Sequence, residues 1–291
     1  MQKTTWTLTL PRGRVLELDS RPRVMGVLNI TPDSFSDGGL WLEPERAIEQ
    51  GLRMVEEGAD LLDLGAESTR PGGGVYGEGA RELGVDEEAE RLLPVLEALR
   101  QATEVPLSVD TRKGGVARLA LEAGADLIND VGGLADEEMV DVVAEAGCPL
   151  ILMHSRGDLG TMQRGIHFED VVQDVGQDLE ARLKVGVAGG IAREQVVLDP
   201  GIGFGKRVEH NLDLLARTDE IARLGRPILL GASRKSFIHD VQPAPPQERL
   251  GGSLAAVEAA ARCGASIVRV HDVQPTVQFL GVRYAIQARM R

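Results

Sequence analysis

The chain is poor in cysteine, in aromatic residues and in long apolar runs, and each shortage excludes something. Two cysteines, Cys148 and Cys263, are too few for a disulfide framework or a structural zinc site. Both stand beside predicted strand starts and read as buried thiols. Aromatic residues make up 3% of the chain, and its apolar runs are built from Val, Ile and Leu instead. No run approaches the roughly 20 apolar residues of a membrane span. The N-terminal MQKTTWTLTLPRGR has no stretch resembling the core of a signal peptide, so a cytoplasmic protein is expected. Positive charge is also short: 32 Lys and Arg stand against 45 Asp and Glu, a formal net charge of −13. Such a surface repels nucleic acid and anionic membranes. An anionic substrate would have to be met by positive charge gathered locally.

Hydrophobic residues make up 43% and charged residues 26% of 291 positions, ordinary values for a soluble globular chain. One local pattern recurs, a helical stretch that ends at glycine and runs at once into an apolar strand. It occurs in EEGADLLDLG (56–65), EAGADLIND (122–130), EAGCPLILM (145–153), RLGRPILLG (223–231) and RCGASIVRV (262–270). Gly58, Gly124, Gly147, Gly225 and Gly264 can each take the left-handed conformation that ends a helix. VMGVLNI (24–30), VPLSVD (105–110) and QVVLDPG (195–201) complete a set of eight short runs with no polar alternation, as in strands buried on both faces. Helices are expected between them at about 44–57, 86–101, 112–123, 136–146, 168–188, 208–224, 247–262 and 275–289. The pattern predicts an α/β fold, a (β/α)8 TIM barrel over 22–290 with an N-terminal β-hairpin at 4–19 acting as a plug, all within one domain spanning 1–291. An open doubly wound sheet is the alternative.

In such a barrel, chemistry belongs at the C-terminal strand ends. Those ends carry Asn29, Asp63 and Glu67, Asp110, Asn129 with Asp130, His154, Asp199, Ser233 to Lys235, and Arg269 with His271. A ring of polar groups at one mouth implies a ligand site. The glycine-rich stretch 66–85 suits a cover over that mouth. The GIGFG run at 201–205 is not a dinucleotide fingerprint, because its third glycine comes one position early.

Read in order, MGVLNITPDSFSDGG (25–39), DLGAESTRPGG (63–73), SVDT (108–111), INDVGG (128–133), MHSRGDLGTMQ (153–163), DPGIGFGK (199–206), GASRKSF (231–237) and RVHD (269–272) resemble the dihydropteroate synthases. Ala66 stands where glycine is common in that family, and Asp158-Leu159-Gly160 where many members have Gly-x-Pro. The resemblance implies transfer of a dihydropterin-methyl group from its diphosphate to p-aminobenzoate, with Mg2+ as metal and a homodimeric assembly.

On that resemblance, Asp199 would accept from the pterin amino group and ring N–H. Asp110 and Asn129 would complete a polar rim, although Asp110 could instead cap a helix. Lys235 would donate to the pterin carbonyl or a ring nitrogen, and a Schiff-base role is its alternative. Met153 would pack on the ring or belong to the core. Arg269 and His271, spaced by two, would share one side of the last strand and meet the diphosphate together with Arg70. Thr69, Arg70, Pro71, Gly203, Phe204 and Ser236 would frame p-aminobenzoate. Asn29 would offer a hard oxygen to Mg2+ or serve only a turn. A corrinoid methyltransferase on a related barrel and a non-catalytic pterin-binding protein are the competing functions.

Overall fold

The computed structural model describes residues 5–30, 43–67, 82–155 and 165–290. The predicted hairpin forms from β1 (Trp6–Thr9) and β2 (Val15–Leu18), paired antiparallel. Eight parallel strands follow: β3 (Arg23–Asn29), β4 (Leu61–Gly65), β5 (Leu107–Asp110), β6 (Leu127–Asp130), β7 (Leu150–Met153), β8 (Val196–Asp199), β9 (Leu229–Leu230) and β10 (Ile267–Val270). Their order is β8-β7-β6-β5-β4-β3-β10-β9. The Leu198 amide donates to Pro227 O at 2.9 Å, and Leu198 bridges Ile228, which joins β8 to β9 and closes the barrel. The open-sheet alternative is thereby excluded.

Around the strands lie α1 (Glu43–Glu56), α2 (Val85–Ala102), α3 (Gly114–Glu122), α4 (Glu137–Ala146), α5 (Val171–Ala188), α6 (Val208–Ala216), α7 (Thr218–Ala222), α8 (Ser236–Val241), α9 (Leu250–Arg262) and α10 (Val273–Gln287). All five glycines of the recurring pattern take positive φ, from +60° at Gly147 to +110° at Gly124, so each helix can stop without a Cβ clash. The single helix expected over 208–224 is two. Arg217 leaves helical geometry at φ −120°, and its guanidinium is held by Asp170, 3.0 Å away on the residue before α5, and by Glu220 at 2.8 Å. The short α8 was not foreseen in the sequence.

Pleating divides the strands into two faces. Val24, Leu28, Leu62, Leu64, Val109, Ile128, Leu152, Leu198 and Val268 pack outward against the helices. Met25, Leu61, Leu127, Ile151, Val197, Leu229 and Ile267 face inward and form one cluster with Leu8, Leu10, Leu16 and Leu18 of the hairpin. The hairpin therefore seals the N-terminal end of the barrel. Arg12 at 2.7 Å, Arg14, and Arg100 at 2.9 Å converge there on the fully buried Asp126. Asp126 also accepts the Leu107 amide at 2.9 Å, so the buried carboxylate is both paired and hydrogen-bonded.

If the hairpin belongs to the barrel core, Leu18→Ala should lower the free energy of global unfolding by about 2–5 kcal/mol. Urea titration followed by circular dichroism reads this as a shifted midpoint at unchanged slope. An unchanged midpoint would make the hairpin an appendage.

Candidate active site

One pleat step above the apolar floor, the inward positions become polar: Asp63, Ser108, Asp110, Asn129, Asp199 and Arg269, with Met153 among them. All of these except Arg269 are buried. Arg269 on β10 reaches across the lumen. Its Nε donates to Asp63 Oδ2 at 2.5 Å and its Nη2 to Asp110 Oδ2 at 2.7 Å. Asn129 Nδ2 donates to the same Asp63 oxygen at 3.1 Å. Asp63, named in the sequence only as a strand end, is thus the hub that ties β10 to β6. Asp110 is committed to Arg269 and does not cap α3, whose cap residue is Lys113. Arg269 shares a face with the site as expected, but its guanidinium lies between two carboxylates and not at the rim.

Four side-chain oxygens of this layer have no partner among the described residues. Asp63 Oδ1, Ser108 Oγ, Asp110 Oδ1 and Asn129 Oδ1 are buried without hydrogen bonds. Leaving such a group unpaired costs about 1–3 kcal/mol each. Three acceptors on the adjacent strands β4, β5 and β6 suit a ligand edge rich in N–H donors.

Asp199 continues this layer on β8 beside Met153, its ladder partner on β7. Asp199 Oδ1 accepts the Gly201 amide at 2.7 Å. Burial pushes this carboxyl up, while the Gly201 amide, Lys235, Lys206 and Arg269 pull it back. Burial likewise raises Asp110, opposed by Arg269 and reinforced by Asp63. Lys235, just before α8, donates to Ile202 O and places its Nζ 4.3 Å from the Phe204 ring centroid. Burial pushes its pKa down to about 8 against the pull of Asp199. Gly203 lies against Lys235, since a Cβ there would come within 2.9 Å of Lys235 Cδ. Phe204 and Ser236 are half-buried beside this group of residues.

At the rim, Asn29 ends β3 in an exposed position. His271 Nδ1 lies 3.0 Å from Ser233 Oγ, which also accepts the His271 amide at 3.2 Å. Burial and the charges of Arg269 and Arg234 push its imidazole down to about 4. His271 is therefore a neutral ring near pH 7.

Two strand-end residues turn away from the mouth. Asp130 accepts the amides of Gly132 at 2.8 Å and Leu134 at 2.5 Å. His154 is fully buried between Lys206 and Asp178. Glu67 accepts the Leu83 amide at 2.7 Å and meets Arg112 at 3.1 Å and Lys113 at 3.0 Å, a network the sequence did not reveal. Burial raises Glu67, and these partners together carry its carboxyl below the usual range. Thr69, Arg70 and Pro71 lie outside the described residues. Among the described residues no group of three His, Cys, Asp or Glu could hold a metal ion.

Because the folded state keeps His271 neutral, the ring contributes stability above its unfolded pKa of about 6.5 that is lost as pH falls through about 4. His271→Gln should therefore flatten the fall in melting temperature across that window. A variant as acid-sensitive as the parent would place the titration elsewhere.

Comparison with known proteins identifies the family. The family model described as pterin binding enzyme matches residues 25–271. A dihydropteroate synthase from Synechocystis is 44% identical over 280 residues, covering 95% of this chain and 94% of that protein. The structure of Xanthomonas albilineans dihydropteroate synthase with 4-aminobenzoic acid superposes at a TM-score of 0.91 with 45% identity, covering 99% and 100% of the two chains. The same organism's enzyme in complex with 7,8-dihydropteroate gives 0.87 at 43% identity, covering 98% and 100%. A parallel barrel whose mouth carries Asp110, Asn129, Asp199, Lys235 and Arg269, matched over nearly its whole length, places this chain in the pterin binding enzyme family.

Proposed function

We propose that the chain acts as a dihydropteroate synthase, joining 6-hydroxymethyl-7,8-dihydropterin diphosphate to p-aminobenzoate with release of diphosphate. The observation that carries this reading is the row of unpaired acceptors, Asp63 Oδ1, Asp110 Oδ1 and Asn129 Oδ1, in the same inward layer as Asp199. A pterin edge brings an amino group and ring N–H groups to such a wall, and carboxylates bind adjacent donors well. Lys235 donates to the pterin carbonyl or a ring nitrogen, and Met153 packs on the ring face. The amine of p-aminobenzoate is the nucleophile, so Lys235 forms no Schiff base.

The electron-rich ring helps the methylene carbon release its C–O pair to diphosphate. The aniline nitrogen, aligned by Phe204, Gly203 and Ser236, forms the C–N bond and gives up a proton. Thr69, Arg70 and Pro71 belong to the same frame. Arg269, Arg70 and the neutral imidazole of His271 meet the departing negative charge. Asn29 fits a Mg2+ that keeps most of its waters and needs few protein oxygens. It would hold that ion at the rim, where the metal supplies charge neutralisation to diphosphate.

A homodimer is part of this reading. Leu254, Phe279, Val282, Ile286 and Met290 line an apolar groove of about 660 Å3 between α9 and α10, the kind of surface that a second copy covers. One domain spanning the chain is part of it too. Cys148 and Cys263 are buried free thiols, which agrees with a reducing cytoplasm.

Purified protein given both substrates and Mg2+ should release diphosphate and dihydropteroate in equal amounts. Asp199→Asn should weaken pterin binding by about 10–100-fold, and Arg269→Ala should lower kcat/KM by orders of magnitude. Full turnover by the Arg269 variant would end its assignment. Sedimentation of the parent should give a dimer, and Ile286→Asp should shift it to monomer. A monomeric parent would remove the dimer from the proposal.

A further inference from the structure

Lys206 follows the Gly201–Gly205 run, is 4% exposed, and takes no part in the chemistry described above. Its ammonium donates to Gly201 O at 2.9 Å, to Phe204 O at 2.9 Å and to His154 Nδ1 at 3.0 Å. An ammonium offers hydrogens and no acceptor, so its contact with His154 Nδ1 is one it donates. A ring nitrogen that accepts from lysine carries no proton, which leaves the proton of His154 on Nε2. That atom lies 3.2 Å from Asp178 Oδ2 on α5. The series Asp178, His154, Lys206 thus runs from α5, past the end of β7, to the turn after β8.

The turn requires such an anchor. Gly201, Gly203 and Gly205 take φ of +67°, +84° and +60°, which directs the Gly201 and Phe204 carbonyls to Lys206 and the Ile202 carbonyl to Lys235. Buried carbonyls need donors, and here two lysines supply them. The fit around Gly201 is close, since a Cβ there would stand 2.0 Å from His154 O.

We infer that Lys206, pinned by His154, is a positioning residue whose ammonium holds the Gly201–Gly205 turn in the shape that presents Asp199 and Phe204 to the barrel mouth. This rests on the pterin reading of the site. The charged groups that face Asp199 are Lys235 from the β9–α8 connection, Lys206 from its own turn and Arg269 from β10. Loss of the Lys206 charge removes one cation that favours the ionised form of Asp199.

The test compares parent and Lys206→Ala by calorimetric titration with a pterin lacking the diphosphate, across pH. The variant should bind at least about tenfold more weakly, and the acid limb of its binding curve should move to higher pH. Millimolar methylammonium should restore part of the affinity, and tetramethylammonium should not. A cooperatively folded variant with parental affinity and an unmoved acid limb would overturn the assignment. So would a loss of affinity that methylammonium leaves untouched while the acid limb stays in place. Should Lys206→Ala fail to fold, 15N spectra of the parent decide: His154 should be protonated at Nε2 and bare at Nδ1, and the reverse tautomer would refute the anchor. A parent that binds no pterin would refute the pterin reading instead, leaving the His154 tautomer to judge the anchor.

Discussion

The site depends on one guanidinium between two carboxylates. Arg269 crosses the lumen from β10 to Asp63 on β4 and Asp110 on β5. Bringing a guanidinium and two carboxyls into a barrel interior is costly, and a short hydrogen bond to each carboxyl is what offsets it. The arrangement forbids the apolar side chains that fill the layer below. It also fixes the unpaired oxygens. With Oδ2 of both aspartates committed to Arg269, and Asn129 Nδ2 committed to Asp63, the atoms left over are acceptors on one wall. A network laid down for charge pairing thereby selects for a donor-bearing ligand.

The two ends of the barrel use the same interaction with opposite polarity. At the sealed end, three arginines surround the carboxylate of Asp126, whose other contacts are backbone groups of the fold. Nothing remains there to bind. At the open end, carboxylates outnumber the guanidinium they share, and their outer lone pairs stay unmatched. Stability and chemistry are separated along the barrel axis, as the architecture generally allows. The hairpin contributes to the first by closing the floor, so the polar layer above rests on a rigid apolar base.

Much of this was legible in the sequence. Glycine-terminated helices running into Val, Ile and Leu strands gave the barrel, and Asp110, Asn129, Asp199 and Lys235 were found at their strand ends. The ring at the mouth was overcounted, for a reason the pleat makes plain. Neighbouring residues on a strand cannot both face inward. Asn129 inward means Asp130 outward, and Met153 inward means His154 outward. Counting alternate positions only would have removed both and kept Asp63, whose inward partners are Gly65 and Leu61. Other features were out of reach. The break between α6 and α7 depends on Arg217 meeting Asp170, 47 residues away. The cradle of Glu67 by Leu83, Arg112 and Lys113 joins segments that only the fold brings together. The motif residues Thr69, Arg70 and Pro71 owe their place in the site to resemblance alone.

Burial raises the carboxyls of Asp110 and Asp199 toward neutrality, where they would lose strength as acceptors. Cations counter that drift from behind: Arg269 for Asp110, and Lys235, Lys206 and Arg269 for Asp199. The two lysines are anchored by groups other than the site carboxyls, namely the Ile202 carbonyl for Lys235 and His154 with two further carbonyls for Lys206. The lysines therefore favour the ionised form of Asp199 without occupying its lone pairs. An apolar cavity could be dry but would have nothing to offer an N–H edge. A solvated polar cleft would offer lone pairs already taken by water. Buried carboxylates backed by buried cations avoid both outcomes, and the strain of the unpaired oxygens is relieved when donors arrive.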